Sequence, residues 1–139
     1  KYFLTTKYDI FDRNYSTFIK FKIDKRKLFD AAEIFVRNTN FTTFSKFNPD
    51  NKNPVCDVVL SQWNQIDDFK SVYTVKSNHF LYGMVRSVVG AMVDISRDKR
   101  SVAEVEDSLY KQNRKLNSPL VKPNGLFLNK VYYDERFGL

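Results

Sequence analysis

SNHFLYGMVRSVVGAMVDI, residues 77–95, is the stretch around which the remaining segments arrange themselves. Laid on a helix at about 100° per residue, Leu81, Met84, Val85, Val88, Met92 and Ile95 share one broad stripe, with Val89 at its edge. That stripe predicts an amphipathic helix lying on a core. The opposite side carries Gly83, Arg86, Ser87, Gly90 and Asp94. A glycine inside a helix costs roughly 1 kcal/mol relative to alanine, so two on one face point to something that approaches closely. Arg86 stands between them. It offers a rigid fork of donors suited to a carboxylate or a phosphate. An arginine in this position is, from the residues alone, more commonly a solvated surface charge, and a mid-helix glycine can mark tight helix–sheet packing.

Working outward, residues 54–65 and 69–77 read as two strands joined by a turn around Ile66-Asp67-Asp68, a hairpin. After the helix comes a polar end, residues 96–100. Ser101 with Glu104 three positions on is a capping box. It opens a helix with Val102, Val105 and Leu109 turned inward. Residues 111–122 read as a polar connector broken by Pro119 and Pro123. Asn124-Gly125 signals a turn, and residues 126–133 a last strand. Upstream, residues 2–6 end a strand, 7–14 form a loop, and 16–23 form a short strand or an extended approach. Asp24 is a suitable N-cap. The helix behind it carries Leu28, Ala31, Ala32 and Phe35 and ends near Arg37-Asn38. Residues 40–44 make a polar, aromatic turn and 46–53 a loop. This order predicts one α+β domain over residues 1–139, a mainly antiparallel sheet with helices packed on one face.

The chain has 139 residues, enough for a core rich in its 13 Phe and 8 Tyr. It carries 23 Lys and Arg against 16 Asp and Glu, a formal charge of +7. The excess is scattered over Lys20, Lys22, Lys25, Arg26, Lys27, Arg97, Lys99, Arg100, Lys111, Arg114, Lys115 and Lys122, which favours a polyanion as partner. No stretch approaches the roughly 20 apolar residues of a membrane span. A single cysteine, Cys56, rules out an internal disulfide and a cysteine-based zinc site, and fits a reducing cytoplasm. A start at Lys1 within a strand-like segment, without an initiator methionine, suggests a piece of something longer.

The catalytic inventory is thin. His79, the one histidine, is expected at the start of the central helix with no triad or metal partner. Asp67-Asp68 reads as a solvated turn and Cys56 as a small core residue. Neither G-x-x-x-x-G-K nor G-x-G-x-x-G is present. These residues alone describe a basic α+β binding domain without a reaction.

Four ordered segments add to this. Ile23-Asp24 through Leu28 and Ala31-Ala32 to Asn40-Phe41-Thr42-Thr43-Phe44 follow "(L/I)D…M..AA…HDF.SF". Phe80-Leu81, Met84-Val85-Arg86 and Val89-Gly90 follow "FL..MVR..VG". Asn124-Gly125-Leu126-Phe127-Leu128 with Val131-Tyr132-Tyr133 follows "(P/E)GL.L..V.Y". Residues 1–4 look like the tail of a "R.Y.Y.I" strand. Together they resemble the C-terminal half of the TruA family of tRNA pseudouridine synthases, over essentially the whole chain.

The resemblance implies isomerisation of uridine to pseudouridine in the tRNA anticodon stem-loop, without cofactor or metal, by a homodimeric cytoplasmic enzyme. It implies that the target base is flipped out of its stack. The attacking aspartate belongs to a "GRTD.G" motif that this sequence lacks, so the chain alone is expected to be inactive. Arg86 matches the arginine that pairs with that aspartate. Leu126 matches the apolar residue that packs on the flipped base, and Gly125 permits close backbone approach. Phe41 and Phe44 match aromatics with a structural role. Tyr2 matches the second tyrosine of "Y.Y". Lys46, Asn78, Arg97, Lys99 and Arg100 are the candidate RNA contacts. Tyr82 and Gly83 depart from the histidines common after "FL", Asn38-Thr39-Asn40 from Gly-x-His-Asp, and Cys56 from an arginine. A non-catalytic basic RNA-binding module on the same scaffold is the alternative.

Overall fold

The computed structural model describes residues 1–50, 53–128 and 130. Among these residues, five strands form one sheet: β1 (Tyr2–Thr5), β2 (Thr17–Phe18), β3 (Asn38–Asn40), β4 (Val55–Gln65) and β5 (Lys70–Ser77). Their spatial order is β2-β1-β5-β4-β3. Only β1 and β2 run parallel among these described strands; the other neighbours are antiparallel. The hairpin β4–β5 is the centre. Asp67 shapes its turn, its carboxylate accepting the backbone N–H groups of Phe69 and Lys70 at 2.8 and 2.7 Å. Those bonds hold the Asp67 carboxyl below the usual carboxylate range.

Alternation then decides the faces. Cys56, Val58, Ser61 and Trp63 of β4 and Ser71 and Tyr73 of β5 are buried on one side. A register irregularity between Val58 and Leu60 keeps this set in phase. Among the described residues, three α-helices complete the α+β fold: α1 (Lys25–Ala31), α2 (Met84–Ser96) and α3 (Val102–Lys111). Trp63 ties the layers together. Its ring stacks on Phe29 of α1 at 6.2 Å, and its Nε1–H donates to Met92 Sδ of α2 at 3.3 Å. The Ser61 and Tyr73 hydroxyls pair at 2.6 Å, and Ser61 also donates to the Ala32 carbonyl. Phe41 and Phe44 are fully buried, as their structural reading expects.

Several boundaries differ from the sequence reading. The central helix was expected over residues 77–95 and begins at Met84. Ser77 closes β5, and residues 78–83 form the connection. Gly83, at φ 70°, turns the chain left-handed into the helix. Apolar period alone could not separate Leu81, which is buried from a loop, from the helical stripe. His79 therefore lies before α2, not on it; its Nε2 is 2.7 Å from the Val55 carbonyl oxygen. The face expected to be polar is also closed, with Ser87 and Gly90 fully buried.

The first helix stops being α-helical at Ala31 and tightens into a 3-10 turn over Ala32–Phe35. The chain must straighten there so that residues 38–40, where the helix end and the first residue of the turn are expected, can pair with β4 as β3. Of residues 16–23, expected as a short strand or an extended approach to the helix, two form strand β2. Val102, expected inward, is 46% exposed. As the first residue after the Ser101 cap it overhangs the turn from which Val105 and Leu109 enter the core. The capping box itself is formed as expected, and so is the Asp24 cap. Of the strand expected over residues 126–133, the described residues show an isolated bridge between Leu126 and Tyr2. Lys1 and Phe127 exchange both backbone hydrogen bonds, at 2.8 and 2.9 Å. Residues 129 and 131–133 lie outside the described residues.

Candidate functional site

Two glycines pointed to a close approach, Gly83 now at the cap of α2 and Gly90 within it, and the structure supplies the approaching group. Residues 117–122, from the connector after α3, lie along the helix. A Cβ on Gly90 would stand 2.3 Å from the Pro119 carbonyl oxygen. No side chain fits there, so the glycine is a condition of the contact. Gly83 packs beneath the Lys46 stem and Leu120.

Arg86 sits at this seam, half-buried. Its Nε–H donates to the Val121 carbonyl at 2.8 Å, while the Val121 N–H returns a longer bond of 3.4 Å to the Arg86 carbonyl. Its two terminal nitrogens make no hydrogen bond or ion pair with any described residue. One edge of the guanidinium is thus held by the backbone, and the fork beyond it is available for an anion.

The next carbonyl, that of Lys122, accepts the Tyr2 hydroxyl at 2.6 Å, and Thr17 Oγ1 lies 2.7 Å from the same hydroxyl. Burial pushes the Tyr2 phenol up to about 12, against the opposing pull of the Thr17 hydrogen bond and the nearby Arg86 charge. Tyr2 is therefore a neutral, fixed hydroxyl at ordinary pH.

The segment then turns at Pro123–Gly125. A Cβ on Gly125 would stand 2.3 Å from the Phe3 carbonyl oxygen, so the turn closes directly on β1. Leu126 follows at 38% exposure. A large apolar side chain left partly in solvent, bridged through its backbone to Tyr2, can stack on a planar apolar group. Arg86 and Tyr2, far apart in sequence, are both tied to this one segment, which leads directly into Gly125 and Leu126.

The candidate RNA contacts scatter. Arg97 lies past the far end of α2, its guanidinium 3.7 Å from the centre of the Phe21 ring. Lys99 is exposed close by, and the Lys27–Asp98 pair at 2.5 Å borders the same corner. Lys46 is exposed beside Tyr82, 5.9 Å from its ring centre. Asn78 serves the loop before α2: its Oδ1 accepts the N–H groups of Asp57 and His79. Arg100 is turned inward, donating to Ser118 Oγ at 2.8 Å and Ser108 Oγ at 2.6 Å. Cys56 is buried, and burial pushes its thiol up to about 11, which makes it inert as a nucleophile.

Sequence reasoning missed Thr17, Ser118, Pro119, Val121 and Lys122. Three of these act through backbone carbonyls, which every residue type provides. Only Gly90 and Gly125, by demanding space, left a trace of them.

A family model described as tRNA pseudouridine synthase matches residues 31–134. The tRNA pseudouridine synthase A of Bacteroides fragilis is 33% identical over 135 residues, covering 97% of this chain and 54% of that protein. Those of Azobacteroides pseudotrichonymphae and Bacillus pumilus are 30% and 27% identical, covering 96% and 93% of this chain. The chain spans about half the length of these curated relatives.

Proposed function

Because the chain belongs to the tRNA pseudouridine synthase family, we propose that it is the RNA-binding and site-completing C-terminal half of an enzyme that isomerises uridine in the tRNA anticodon stem-loop. The full-length protein of this reading adds a half with the attacking aspartate. Arg86 pairs with that carboxylate and orients it toward the nucleoside. The glycosidic bond breaks, the base turns and rejoins through carbon, and Leu126 supports the base while it is out of its stack. The observation that carries this reading is the Arg86 guanidinium. It is half-buried and held at Nε by Val121, with its terminal nitrogens unpaired among the described residues.

Arg97, Lys99 and Lys46 are the phosphate contacts of this reading, supported by their exposure or, for Arg97, by an aromatic support beneath it. Two copies form the enzyme in this reading. The half-exposed Phe3, Tyr15, Ile66 and Phe127, which line a 370 Å³ cleft on the sheet face away from α2, supply apolar surface for such a partner. Among the described residues no helix is long and apolar enough to cross a membrane; the buried free thiol supports a reducing, cytoplasmic setting.

In the full-length protein, Arg86→Ala nearly abolishes turnover while tRNA affinity stays within a few-fold. Turnover that survives within a few-fold overturns the assignment and leaves a basic RNA-binding module. Leu126→Ala lowers turnover more than it lowers the melting temperature. Equal losses make Leu126 an ordinary packing residue.

A further inference from the structure

Residues 117–122 contain no strand and no α-helix, yet their path along α2 is fastened at several points. Asn117 Nδ2 donates to Ser87 Oγ of α2 at 3.0 Å. Arg100 reaches from the turn after α2, one terminal nitrogen on Ser118 Oγ and the other on Ser108 Oγ of α3. Ser108 Oγ donates onward to the Glu104 carbonyl at 2.7 Å. The Pro119 carbonyl is seated over Gly90. Only then come Val121 and Lys122, whose carbonyls hold Arg86 Nε and the Tyr2 hydroxyl.

A carbonyl orients a guanidinium only if the carbonyl is itself fixed. Here the fixing is done upstream. Arg100, a residue whose charge suggested a phosphate contact, has both terminal nitrogens committed to serines and joins α3 to the segment. A fork with two separated donors can bridge two hydroxyls; a lysine ammonium offers one point.

We propose that Arg100 and Gly90 are positioning residues, which hold residues 117–122 against α2 so that the Val121 carbonyl aims the Arg86 guanidinium at its partner in the reaction. This rests on the pseudouridine synthase reading above.

The test uses the full-length protein. In Arg100→Met, kcat falls by roughly 100-fold, the scale of a displaced orienting group, and KM for tRNA stays within about threefold, because no substrate contact is lost. Arg100→Lys does not restore kcat. Gly90→Ala behaves as Arg100→Met does. Should it fail to fold, Ser118→Ala takes its place, removing the acceptor without a clash. NMR reads hydrogen-exchange protection of the Arg86 Nε–H, which drops in each variant. A general loss of packing would not single out this proton. In an Arg86→Lys background, Arg100→Met adds little further loss, since the two act as one unit.

An unchanged Nε–H signal in Arg100→Met and Ser118→Ala overturns the proposal. So does a rise in KM with kcat intact, the behaviour of a phosphate contact. If Arg86→Ala itself keeps turnover, the functional reading fails, and Nε–H protection still reports whether Arg100 holds the segment.

Discussion

Arg86, in the first turn of α2, and Arg97, just past its last, stand at opposite ends of one helix, roughly 16 Å apart at 1.5 Å per residue. Their surroundings differ in kind. Arg86 is half-buried against a backbone segment, its Nε bonded to a carbonyl and its neighbours Ser87 and Gly90 closed over. Arg97 lies on the Phe21 ring at a corner rich in exposed lysines. The seam is a packed place, where a misfit of one methyl group is felt because neighbouring backbone cannot yield. The corner is a wet place, where charges are screened and a substitution is absorbed by water. A site that must aim a group belongs in the first; one that must attract a polyanion works in the second.

The largest effect should follow from filling the seam. Gly125→Ala places a methyl group on the Phe3 carbonyl and should cost about 1–3 kcal/mol, the usual range for overpacking. Urea unfolding measures it. A loss under about 0.5 kcal/mol, ordinary for a surface change, would show that the turn yields and that the contrast between the two regions is overdrawn.

The next effect is alkaline. Tyr2 has a phenol raised to about 12 by burial. A phenol raised in the folded state favours the neutral form there. Its contribution is complete below the ordinary phenol value near 10 and is lost as pH rises from there toward about 12. Wild-type stability should fall in that window more steeply than that of Tyr2→Phe. Parallel curves would mean that Tyr2 ionises freely and that the seam is open to water.

The smallest effect belongs to the corner. Arg97→Ala should leave the unfolding midpoint nearly unchanged and lower the slope of log affinity against log salt by about 1, the signature of one phosphate contact. An unchanged slope with lower stability would make the Arg97–Phe21 stack structural and move the corner into the packed class.

Much of this was legible beforehand. The β4–β5 hairpin, the Asp24 cap and the Ser101–Glu104 box are local, and each is written in adjacent residues. Gly90 announced a close approach because glycine has a cost in a helix that only packing offsets. The start of α2 was not legible: Leu81 keeps the helical period while sitting in a loop, and burial is satisfied either way. Nor was the role of Arg100 legible, since a basic residue in a polar run looks the same whether it meets phosphate or two serines.

By itself the sequence determined the central hairpin, the order of the three helices, the helix caps, the sign of the charge and the positions where no side chain could stand. Those follow from local propensity, period and composition, which each short stretch carries within itself. Tertiary structure alone decided which segment approaches α2 and which carbonyls hold Arg86 and Tyr2. It also turned Arg100 inward while Arg97 stays out. These depend on where a backbone with no distinguishing chemistry comes to rest, and every residue supplies the same carbonyl until packing chooses among them.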